Sequence, residues 1–264
     1  MEIFSYLVYG ASTGTITLKD LEERFFLAID RKRCEMTTRG ISRLTLWINV
    51  VASIPPAQRK RYNAQINEFV NLQNAPKRIT VGPGSTTVKM VGPQVLSGEE
   101  STFAIDAYDN GAECRILQAV MEKKNCKSVF VNGGDDGLFR ICRNDYEAWL
   151  AAIEERKLKT GVLWTDTELR CAFVITEDEL PGFLAGDPVI RSDQRVTCFN
   201  IHDTNMFATI YGMIPCFVTD GVDITLAFPI YKIDKILSSW FMPHKAGKNM
   251  SPTDYATLRA FGMN

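Results

Sequence analysis

At 264 residues, with 45% hydrophobic and 23% charged side chains, the chain has the make-up of an ordinary globular protein of one large or two smaller domains, which excludes a disordered or fibrous chain. Its formal net charge is only −1, and nowhere do apolar residues run for the roughly 18 positions that a transmembrane helix needs. Met1-Glu2, an acid ahead of any apolar run, predicts that no secretory signal opens the chain.

In chain order, Ile3, Phe4, Leu7 and Val8 recur at helical spacing and predict a first helix, ended by the turn Ala11-Ser12-Thr13-Gly14. Thr17 caps a second helix, with Leu18, Leu21, Phe25, Phe26 and Ile29 on one stripe. A third begins near Thr37 or Thr38, places Ile41, Leu44, Ile48 and Val51 on one face, and stops at Pro55-Pro56. Those prolines also suit the start of a fourth helix, which carries Tyr62, Ile66, Phe69 and Val70 as far as Asn74-Ala75-Pro76. Across residues 77–98, Gly82-Pro83-Gly84 and Gly92-Pro93 mark a linker or a flexible hairpin, in which Ile79/Val81 and Val88/Met90 alternate.

Helical patterning returns at residues 112–124, around 138–142, and from Asn144, where Tyr146, Trp149, Leu150 and Ile153 form a stripe that Gly161 closes. From Val162 the period shortens to that of strands, at 162–164, 171–175, 196–201, 216–218 and, after the Asp220-Gly221 turn, 224–228. Helices at 233–241 and 251–261 follow, the second with Ser251 as N-cap and Pro252 at N1. The predicted fold is an all-α N-terminal half of two small helical bundles (1–76 and 99–160, joined by 77–98), followed by a smaller α+β C-terminal domain at 161–264.

No constellation predicts catalysis. Tyr6-Leu7-Val8-Tyr9-Gly10-Ala11-Ser12-Thr13-Gly14, with Asp30 beyond it, looks like the glycine loop of an NAD(P)-binding unit. Only two of the three glycines are present, and Thr17 to Asp30 leaves too little chain for a helix, a return loop and a second strand. His202 and His244 lack zinc spacing, and no nucleophile elbow or Walker loop occurs. Asp135-Asp136 and Glu99-Glu100 are sequence neighbours whose side chains point apart, so neither pair makes a proton-sharing dyad by itself. Seven scattered cysteines without a Cys-x-x-Cys pair read as small buried hydrophobes in a reducing compartment. The chain reads as a non-enzyme without cofactor, metal or small-molecule substrate.

Charge is more informative. Residues 1–90 carry 13 Lys or Arg against 7 Asp or Glu, an excess of six positive charges. The other 174 carry 17 against 24, an excess of seven negative ones. This division suits an acidic partner on one face, or a second copy bound head to tail. Arg31-Lys32-Arg33, Arg59-Lys60-Arg61 and Lys77-Arg78 bracket the predicted helices, while Arg39 and Arg43 share a face at i, i+4. Together they predict one positive surface for phosphate-bearing partners, RNA backbone or anionic lipid. Within this stretch only Asp30, Glu35 and Glu68 stand near enough in sequence to neutralise it.

Lys32-Arg33-Cys34-Glu35-Met36-Thr37-Thr38-Arg39-Gly40-Ile41, then an apolar helix, then Ile54-Pro55-Pro56-Ala57-Gln58-Arg59-Lys60-Arg61, resembles the influenza matrix proteins. There a Thr-x-Gly-Ile helix start leads to a proline and a triple-basic helix. Phe4-Ser5-Tyr6-Leu7, Gly14 and Leu21-Glu22-Glu23-Arg24-Phe25 follow the order of their first two helices. Ala107 to Cys114 and Gly137 to Cys142 are similar to the start and end of their middle bundle. The resemblance covers roughly residues 2–150, and the length fits an orthomyxovirus matrix protein of the thogotovirus kind. Asp145 stands where that family's second zinc-ligating cysteine would, so zinc is not implied. The family's second basic helix would fall in 77–98, which keeps only Lys77, Arg78 and Lys89. The resemblance implies a matrix layer at the inner face of a virion envelope. During infection such a protein is also expected in the host cytoplasm, with the nucleus as a further location; it self-associates, binds anionic membrane and ribonucleoprotein, and supports budding. An RNA-binding nucleocapsid-type protein is the alternative use of the same surface.

Overall fold

A computed structural model describes residues 17–32, 34–75, 78–81, 86–89 and 102–232. The predicted first helix, the glycine loop at 6–14, Glu99-Glu100, His244 and the helices at 233–241 and 251–261 lie outside them. Two compact units form: residues 23–169, and residues 170–232 together with 17–22.

The chain enters through a short helix, α1 (Leu18–Glu23), and passes directly into strand β1 (Arg24–Arg31). Two helices follow, α2 (Cys34–Thr37) and α3 (Gly40–Ser53). Pro55-Pro56 ends α3 and opens α4 (Pro56–Arg61), with Pro56 in the first turn where its missing N–H costs nothing. Helix α5 (Asn63–Asn74) follows, then β2 (Arg78–Val81) and β3 (Thr86–Lys89), which pair as the alternation in 77–98 predicts.

Helix α6 (Thr102–Glu122) leads to strands β4 (Val129–Gly133) and β5 (Asp136–Cys142), helix α7 (Tyr146–Thr160) and strand β6 (Trp164–Thr165). Gly161 caps α7 with φ +73, a conformation that glycine adopts freely. The strands of this unit lie in the order β4-β5-β1-β6, with antiparallel neighbours. Leu27, Ile29, Phe139 and Ile141 of this sheet share one core with Cys114, Leu117 and Met121 of α6 and with Trp149 and Ile153 of α7.

Strand β7 (Leu169–Arg170) lies where the chain passes into the other unit. That unit holds β8 (Phe173–Thr176), α8 (Leu180–Ala185), the hairpin β9 (Val189–Arg191) with β10 (Gln194–Val196), and β11 (Met213–Thr219) with β12 (Ile224–Tyr231). Strand β11 pairs parallel with β8 and antiparallel with β12 around a core of Phe173, Phe183, Phe207 and Cys216.

An all-α N-terminal half is therefore incorrect: residues 23–169 build a mixed α/β unit around an antiparallel sheet. The second predicted helix turns into a strand after Glu23. In Arg24–Arg31, Phe26, Leu27, Ala28 and Ile29 are all buried, so both faces of β1 are covered. A strand buried on both faces shows a continuous apolar run, which helical spacing mimics. The segment at 138–142, read as helical, is part of β5 for the same reason. The strand expected at 196–201 is β10 followed by a turn and a short 3-10 helix.

Candidate functional site

The predicted basic residues part company. Arg31 is buried at the end of β1; its guanidinium pairs with Asp109 at 2.5 Å and donates to the Thr37 carbonyl at 3.0 Å. Arg39 pairs with Asp109 at 3.1 Å and Glu113 at 2.8 Å. Arg156 of α7 completes the chain on Glu113 at 2.7 Å. Arg43 is buried and donates to the Gln73 carbonyl at 2.7 Å, capping the last turn of α5. Arg31 and Arg43 thus hold the unit together from inside, while Arg39, its side chain 38% exposed, is tied down by two ion pairs.

The acids that pair with Arg31, Arg39 and Arg156 stand on one stripe of α6. Asp106, Asp109, Asn110 and Glu113 recur at helical spacing and are all buried. Asp106 accepts from the Thr38 hydroxyl at 3.0 Å. Asn110 donates to the Asp135 carbonyl at 2.9 Å and accepts from the Trp164 indole at 3.4 Å. The helix predicted at 112–124 starts too late to show the stripe, although the spacing of three, one and three residues was the signal that could have found it.

What remains at the surface lies on α3, α4 and α5. Arg59, Lys60 and Arg61 occupy the last turn of α4, with Lys60 and Arg61 exposed. The Arg61 guanidinium lies 5.2 Å from the centre of the Tyr62 ring. Lys32 is exposed; Arg78 opens β2; Arg33 and Lys77 lie outside the described residues. The same group of helices also exposes large apolar side chains: Ile41 (66% exposed), Leu44, Ile48 and Val50 on α3, and Phe69 and Leu72 on α5. Between these helices lies a cavity of about 530 Å³, walled by Ile48, Val51, Ile66 and Val70 and edged by Arg59, Asn67 and Asn71. Trp47 lines it too, packed edge-on against Phe69 at 5.0 Å, with its buried indole N–H lacking an acceptor among the described residues.

Among the described residues, Asp30, Asp135 and Asp136 are the group of carboxylates spaced to hold a metal ion, their oxygens within 4.8 Å of one another. The register that sets Asp30 opposite Asp136 gathers them. Burial first, then the Asp135 charge, raises the Asp30 carboxyl above its ordinary range. His202 sits in the short helix at 201–203, and burial lowers its ring below the usual value. Burial also raises the Cys34 and Cys216 thiols to about 12, which makes them inert. No helix among the described residues is long and apolar enough to cross a membrane. Compared with known proteins, the chain matches no family model and no curated sequence.

Proposed function

We propose that this chain is a structural protein of the viral matrix type, which lies against an anionic membrane, associates with copies of itself and contacts a ribonucleoprotein. The observation that carries the reading is the presence on α3–α5 of both exposed apolar side chains and the cations Lys60 and Arg61. An apolar face inserts at the headgroup boundary while cations meet anionic lipid, each worth about 1 kcal/mol. The resemblance supports it where the helical order persists: α3 from Gly40, the proline stop, then a triple-basic helix. The double variant Lys60→Gln/Arg61→Gln should lose roughly tenfold or more in affinity for phosphatidylserine vesicles. An unchanged affinity would overturn the reading.

An RNA-binding, nucleocapsid-type role is the second reading, favoured by the exposed rings of Tyr62 and Phe69 among the same helices as the cations. Arg61 already covers Tyr62, so a base would have to displace it. Competition between vesicles and single-stranded RNA separates the two: RNA that strips the protein from vesicles at equal charge concentration selects the second.

A further inference from the structure

We infer that the open cavity between α3, α4 and α5 binds a single-chain amphiphile with one anionic head, its tail between Val51, Ile66 and Val70 and its head on Arg59. The volume of about 530 Å³ lies within the roughly 300–1,000 Å³ typical of small-molecule sites. Its walls are apolar, and its edge carries Arg59, Asn67 and Asn71. Arg59 has a buried Nε with no hydrogen-bond partner among the described residues, and so has the indole N–H of Trp47, a residue only 8% exposed. An oxyanion on the Arg59 guanidinium makes a charge-assisted hydrogen bond, roughly twice as strong as a neutral one. The charge agrees in sign. From residue 40 to 75 the sequence holds Arg43, Arg59, Lys60 and Arg61 against one acid, Glu68, and Arg43 is engaged at Gln73. An anionic head with an apolar tail therefore fits where a neutral lipid or a cationic ligand does not.

The head is a carboxylate, as on a fatty acid, or a phosphate, as on a lysophospholipid; the donor set accepts both. Dodecanoate, dodecyl phosphate and dodecanol, each below micelle formation and without vesicles, test the site and tell the sources apart. Both anions should shift the Trp47 indole N–H resonance of the full chain, assigned with Trp47→Phe, and leave those of Trp149 and Trp164 in place. Dodecanol should bind at least roughly tenfold more weakly than the better anion, and Arg59→Gln should erase that difference. Ala52→Phe, which fills the cavity from α3, should abolish binding of all three.

An unmoved Trp47 signal at saturating anion overturns the inference, as does equal binding of dodecanol and the anions. A monomer–dimer equilibrium that Ala52→Phe abolishes, with no response to the anions, assigns the cavity to a second copy and overturns it as well. Lys60→Gln/Arg61→Gln keeps the cavity intact, so lost vesicle binding with retained dodecanoate binding separates this site from the membrane surface.

Discussion

At the scale of single residues, identical chemistry meets opposite fates. Arg31 and Arg43 are buried, whereas Lys60 and Arg61 stay in water. Nothing in the local sequence distinguishes them. The acid that claims Arg31 stands 78 residues away, so neutralisation counted along the chain missed it. Glu179 shows what such pairing does to a proton. Hydrogen bonds from Arg191, at 2.6 and 3.2 Å, hold its carboxyl below the ordinary range. A carboxyl lowered on folding adds stability above its unfolded pKa and loses it as pH falls through the folded value. Glu179→Gln should therefore melt at a lower temperature than the parent at pH 7, with the gap closing as the buffer is taken below the carboxylate range. A gap that is constant with pH contradicts the assignment.

At the scale of elements, α6 explains most of what helical reading left out. The helix expected at 112–124 begins ten residues earlier, at Thr102, and its polar stripe ties β1, the α2–α3 segment, the β4–β5 hairpin and α7 into one unit. Asp109→Asn keeps the shape but leaves the Arg31 guanidinium without its counter-charge. Breaking a buried pair from one side costs about 3–5 kcal/mol, which urea unfolding should register as a lowered midpoint with an unchanged slope. A loss below about 1 kcal/mol would mean that the network is not dry. Helices α3 and α5 were legible because Pro55-Pro56 separates two apolar stripes, and the Gly161 stop of α7 was equally clear. Strand β1 was not, because covering both of its faces removes the alternation that marks a strand with one face in water. Gly137 marks the same crowding: a Cβ there would come within 2.8 Å of Ile29 on β1.

At the scale of the whole molecule, the basic first third and the acidic remainder of the sequence meet within one unit. Arg31 and Arg39 come from the first, Asp109 and Glu113 from the second. Two of the cations behind the asymmetry that suggested head-to-tail self-association are thus neutralised inside a single copy. What survives at the surface is α3–α5, with exposed apolar side chains and the cations Lys60 and Arg61. Screening acts over about 8–10 Å at ordinary salt, so exposed cations should lose their hold as salt rises while inserted apolar groups keep theirs. The most direct measurement is flotation of the full chain with phosphatidylserine and phosphatidylcholine vesicles across a salt series. The account predicts binding to the anionic vesicles that weakens steeply with salt to a residual apolar component, and little binding to the neutral ones. Equal binding to both, or none to the anionic vesicles at low salt, contradicts it.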